Sequence, residues 1–132
     1  MDSFSRPTDF ELAILQVLWK RGDSTVRQVY EGLGSKGAYT TVLTIMKIMT
    51  DKGLLKADKS RTTYVYSVTA PPETVRRQLV SDLVDRAFAG AARELVLQAL
   101  TTASASKEDL KAIRKLINKL EKKNGSSSLS VE

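Results

Sequence analysis

Residues 38–55 read AYTTVLTIMKIMTDKGLL, and the spacing within this stretch decides how the rest of the chain is organised. Val42, Ile45, Met46 and Met49 recur at helical intervals on one side, while Thr40, Thr44, Lys47 and Asp51 follow at intervals of four, three and four on another. The pattern predicts a helix with one face that packs and one that stays open. Gly53 stands where helices commonly end, and Leu54 and Leu55 then begin an extended segment. A helix with a hydroxyl-rich first turn and a lysine further along its open face can enter a DNA major groove.

On the N-terminal side, Thr8 followed by Glu11 matches a capping box. Phe10, Ala13, Ile14, Val17 and Leu18 then repeat at helical spacing up to Gly22. Leu12, Leu15 and Trp19 widen this apolar surface, so Trp19 reads as core rather than as a ligand-binding ring. Thr25 with Gln28 marks a second helix start, with Val26, Val29, Tyr30 and Leu33 inward and a turn through Gly34, Ser35, Lys36 and Gly37. The short connection into the third helix has helix-turn-helix spacing, which many small helical domains share.

On the C-terminal side, Leu54–Ala57 predicts a strand, Asp58–Arg61 a polar turn, and Thr63–Val68 a second strand rich in valine, tyrosine and threonine. Three helices followed by a hairpin is the order of a winged helix. Between Lys36 and Arg61 six basic residues stand against two acidic ones, so the basic surplus of this half gathers around the third helix and the hairpin. Thr69, Ala70, Pro71 and Pro72 break the second strand, and the boundary is placed there, giving a winged domain over 8–70.

The remainder reads as a helical region over 71–122. Val75, Leu79, Val80, Leu83 and Ala87 predict one helix, Leu95, Val96, Leu97 and Leu100 another, with Gly90 either interrupting or thinning the pattern between them. Ser106 with Asp109 resembles a weaker capping box, and Leu110, Ile113, Ile117 and Leu120 form a seam spaced three, four and three. That seam is too short for an isolated coiled coil and suits a layer formed between subunits. Residues 123–132 have the serine, glycine and charge content of a disordered tail. The fold class expected is mainly α with a small β hairpin, a winged helix-turn-helix domain followed by a helical dimerisation region.

A net charge of +6 and a pI near 9.7 favour a polyanionic partner without naming one, since many soluble proteins are equally basic. The chain has no cysteine and no histidine, which excludes disulfides, thiol and imidazole catalysis, and zinc or copper sites built on those ligands. The acidic residues are scattered on polar faces, so no catalytic residue, cofactor or metal is expected and the chain does not read as an enzyme. No apolar run approaches a membrane span and the first residues lack the order of a secretory signal. A cytoplasmic protein without membrane insertion is expected.

Candidate DNA contacts are Tyr39, Thr40, Thr41, Thr44 and Lys47 on the third helix and Lys59 and Arg61 in the hairpin turn. Hydroxyls and ammonium groups there can reach phosphates or base edges, and threonine methyls can pack on thymine. Arg27 and Lys36 are further backbone contacts. From the residues alone, a solvated threonine-rich face and an ordinarily charged turn stay open, as do a protein-binding winged module and a small-molecule-sensing regulator.

The run from FELAILQVLWKRGDSTVRQVYEGL through AYTTVLTIMKIMTDKGLL to TTYVYSVTAPPE resembles the BlaI/MecI/CopY family of bacterial repressors, the penicillinase and methicillin-resistance regulators and their copper-responsive relatives. The likeness spans Thr8 to about Leu120. It implies a repressor that binds double-stranded operator DNA as a homodimer on a palindrome. The helices carrying Leu79, Leu83, Leu95, Leu100, Leu110, Ile113 and Ile117 would then form the dimer interface. Relatives similar to the penicillinase repressor are released when a membrane-embedded sensor metalloprotease promotes cleavage at an Asn-Phe bond. The matching positions here are Gln98 and Ala99, a departure from that pattern. The cysteine motif of the copper-responsive branch has no counterpart.

Overall fold

The computed structural model describes residues 6–131, with side chains described to residue 125. The elements in order are α1 (Asp9–Arg21), α2 (Val26–Gly32), α3 (Tyr39–Asp51), β1 (Leu55–Asp58), β2 (Val65–Val68), α4 (Pro72–Phe88), α5 (Ala92–Thr102) and α6 (Lys107–Val131). They divide into two compact units, residues 1–83 and 84–132.

In the first unit both predicted capping boxes form. The Thr8 and Thr25 hydroxyls each accept a backbone N–H three residues on, at 3.1 Å, while Glu11 and Gln28 reach back to the capping N–H. Two of the orphan donors at each helix start are thereby satisfied. Most of the residues spaced inward form the core: Ile14, Leu15 and Leu18 of α1 meet Val26 and Val29 of α2 and Val42, Met46 and Met49 of α3, while Phe10, at the open end of the α1 pattern, is exposed. Leu55 and Tyr66 close it from the hairpin. Gly53 adopts φ +85°, which lets Leu54 donate back to the Met49 carbonyl at 2.9 Å and turns the chain sharply from α3 into β1.

β1 and β2 pair antiparallel, from Leu55 opposite Val68 to Asp58 opposite Val65. The second strand begins two residues later than Thr63, so Thr63 and Tyr64 belong to the wing loop. A further pairing joins residues far apart in the chain. Ser24, in the α1–α2 connection, exchanges two backbone hydrogen bonds with Tyr66, at 3.0 and 2.7 Å, making a third short rung beside the hairpin. Ser24 is also buried, and its hydroxyl donates to the Gly22 carbonyl at 2.8 Å.

The first unit reaches beyond the expected Ala70–Pro71 boundary because the start of α4 stays attached to it. Val75 is buried, the Arg76 guanidinium lies 5.7 Å from the Trp19 ring centre, and Arg6 pairs with Asp82 at 3.1 Å. Trp19 itself packs against the core, as expected.

In the second unit the helical pattern is interrupted at Gly90. Ala89 and Gly90 both take positive φ, and the Gly90 N–H returns to the Val84 carbonyl. Ser106 and Asp109 form the reciprocal bonds of a capping box, each at 3.0 Å. α6 continues through residues 123–131, the segment whose composition reads as a tail, and Glu132 lies outside the described residues. Once nucleated, a helix adds a hydrogen bond for each residue fixed, which carries α6 into this polar sequence. Among the described residues no helix is long and apolar enough to cross a membrane.

Candidate nucleic-acid interface

The packing of α3 separates its two faces. Val42, Met46 and Met49 are fully buried, and Ile45 packs half-buried beside them. Thr40, Thr41, Thr44, Lys47 and Asp51 are all exposed. The open face is therefore a consequence of the buried one: three large side chains in the core fix the rotation of the helix about its axis. No side chain caps the α3 N-terminus at Ala38, so the positive end of the helix has no side-chain acceptor.

The α2–α3 turn is held from within. Ser35 takes a left-handed φ of 55°, and the Tyr30 hydroxyl donates to the carbonyls of Ser35 and Gly37 at 3.0 and 3.1 Å. Tyr30 also meets Tyr39 edge to face, with ring centres 5.7 Å apart, and the Arg27 guanidinium lies 4.6 Å from the centre of the Tyr39 ring. Tyr39 is thus half-buried in an Arg27–Tyr39–Tyr30 stack, which makes it a support for the start of α3 and places a cation beside it. Arg27 thereby stands beside the start of α3.

The wing turn is ordered by Asp58, whose carboxylate accepts from the Ser60 hydroxyl at 2.7 Å and the Ser60 backbone N–H at 3.0 Å. The Ser60 hydrogen bonds, with the nearby Arg61 charge, hold the Asp58 carboxyl below its ordinary range. Lys59 lies 5.7 Å from the Tyr64 ring centre, and Arg61 is exposed beside it in the chain.

A groove of about 230 Å³ separates α3 from the wing and is lined by Lys47, Thr50 and Asp51 on one side and Ala57, Lys59, Tyr64 and Tyr66 on the other. It brings Lys47 and Lys59 together. A second groove, of about 350 Å³, is lined by Tyr39, Leu43, Thr62, Thr63 and Tyr64 among others, so Tyr64 and Tyr66 are common to both. Thr62, Thr63 and Tyr64 line the grooves although the strand pattern assigns Thr63 and Tyr64 only to the second strand; their signal is a polar, aromatic run directly after the basic turn.

The residues expected to meet a partner subunit are open in the single chain. Leu83, Leu110 and Ile117 are exposed, and Leu79, Leu95, Leu100 and Ile113 are part-exposed. Gln98 and Ala99 lie within α5, both exposed, with the Gln98 carbonyl accepting from the Thr102 hydroxyl at 2.7 Å and the Thr101 hydroxyl at 3.2 Å. No group of three or more acidic residues could hold a metal ion among the described residues.

Three packed helices, the third with a free polar face, followed by a basic hairpin tied back to the α1–α2 connection, define a winged helix-turn-helix. The profile of the penicillinase repressor family matches residues 7–119, and the chain belongs to that family of DNA-binding transcriptional repressors. Among solved structures, a MarR family protein from Bacillus stearothermophilus is similar, with a TM-score of 0.49 and 19% identity over 92% of this chain and 77% of that one. No curated protein matches.

Proposed function

We propose that the chain is a cytoplasmic, sequence-specific repressor that binds a palindromic operator as a homodimer and occludes promoter DNA. The observation that carries this reading is the exposed row Thr40, Thr41, Thr44 and Lys47, held outward by the burial of Val42, Met46 and Met49 and flanked by Lys59 in the wing. The hydroxyls and Lys47 would read base edges, the α3 N-terminus would hold a phosphate, and Lys59 and Arg61 would grip the backbone.

Homodimerisation is supported by the uncovered apolar residues of α4, α5 and α6, which a second copy would bury. Release through a membrane-embedded sensor metalloprotease is supported by family membership and by the exposure of Gln98 and Ala99. The Gln-Ala pair requires a peptidase with a different side-chain preference from one that cleaves Asn-Phe.

Selection of duplexes from a random library, followed by footprinting at physiological salt, tests the reading. The expected result is a two-fold symmetric site bound at least about a thousandfold more tightly than random DNA. Uniform affinity for all duplexes would overturn it.

A further inference from the structure

Ile48 is the one large apolar side chain exposed on α3, at 43% of its surface, whereas Leu43 and Ile45 pack part-buried on the core. It stands one turn beyond Thr44 and two turns beyond Thr41, on the flank of the open face nearest Ile45, and next in sequence to Lys47. Every other exposed side chain in that row carries a hydroxyl or a charge. An isoleucine in a helix has a single strongly preferred χ1 rotamer, so its methyl groups are held in place before any partner arrives. In the major groove the one apolar feature on a base edge is the C5 methyl of thymine.

We propose that Ile48 is a specificity-determining residue that packs against a thymine methyl group, so that the preferred site carries a thymine beneath the C-terminal half of α3. This assignment rests on the DNA-binding reading above and adds to it the identity of a base. Hydrogen bonds from Thr44 and Lys47 can be satisfied by more than one base edge, whereas Ile48 rejects a base that presents an unpaired polar group to its methyls.

The test uses the duplex selected by the wild-type protein, resynthesised with deoxyuracil in place of each thymine in turn, which removes only the methyl group. At one thymine position wild type should bind the uracil duplex about fourfold more weakly, the value of one buried methyl. Ile48→Ala should bind the parent duplex about tenfold more weakly and lose the distinction between thymine and uracil at that position, while Ile48→Val retains it. The exposed position leaves folding intact, checked by circular dichroism and the unfolding midpoint of both variants. If uracil weakens Ile48→Ala as much as wild type at every position, or weakens wild type at none, the assignment is overturned while DNA recognition stands. If wild type selects no duplex, the DNA-binding reading itself fails.

Discussion

Lys52, which closes α3, holds its ammonium 2.8 and 3.1 Å from the two carboxylate oxygens of Glu11 in the first turn of α1. Glu11 is buried, and its other partner is the Thr8 capping N–H at 3.0 Å. One carboxylate therefore completes the cap of α1 and ties that helix to the end of α3. Lys52→Met should leave it desolvated without a counter-charge and lower stability by about 2 kcal/mol, less than for a fully enclosed pair because Lys52 keeps part of its surface in water. Urea unfolding with an unchanged m-value measures the loss; a midpoint equal to wild type would show the pair to be idle.

The same pair sets an acid limit. Burial pushes the Glu11 carboxyl up, but the Lys52 hydrogen bonds and charge and the Thr8 bonds more than offset it, so the group titrates below its ordinary value. A carboxyl depressed in the folded state contributes stability above the unfolded value, near 4.3, and that contribution disappears as pH falls through the folded one. Glu11→Gln should therefore flatten the fall in unfolding free energy below about pH 4.3. A wild-type slope retained in the variant would assign the acid sensitivity elsewhere.

Thr25→Ala removes the acceptor for the Gln28 N–H and frees the start of α2, a helix too short to persist on its own. The expected cost is about 1 kcal/mol. Calorimetry should show the midpoint falling, and Thr25→Ser should restore most of it.

Lys47→Ala and Lys59→Ala face the same groove, yet the DNA-binding reading gives them different signatures. Lys59→Ala should weaken binding to all duplexes and reduce the magnitude of the salt slope by about 1. Lys47→Ala, if Lys47 reads a base edge, should change which duplex is preferred. Identical salt slopes for wild type and Lys59→Ala would remove the wing from the phosphate contacts.

Ile117→Glu on α6 places a charge in the seam with Leu110 and Leu120. Because that side chain is exposed in the single chain, the variant should fold as a monomer, sediment as one at micromolar concentration, and bind a symmetric operator with lost cooperativity. Sedimentation identical to wild type would show that subunits do not meet through this face.

The helices were legible in the sequence because local chemistry set them: Thr8 with Glu11, Thr25 with Gln28 and Ser106 with Asp109 are capping signals confined to four residues, and all three form. The rotation of α3 was legible for a related reason, since Val42, Met46 and Met49 could share only one side. What escaped were contacts between residues far apart in the chain. Nothing near Glu11 announced Lys52, nothing near Ser24 announced Tyr66, and the attachment of α4 through Val75 and Arg76 moved the edge of the first unit past the proline pair. Ile48 falls on the open face by the same spacing that places Thr44 and Lys47, against the general expectation that a large apolar residue faces inward.

The Ser24–Tyr66 rung also imposes an order on folding. Its two hydrogen bonds close a loop that contains α2, α3 and β1, so the entropy of that closure is offset only after those elements have assembled. The bridge accordingly closes on elements that are already packed. During synthesis, a nascent chain that has not yet emerged past Tyr66 can hold a formed α3 while lacking the hairpin beside it. The winged unit is thus complete only once the chain has emerged past β2.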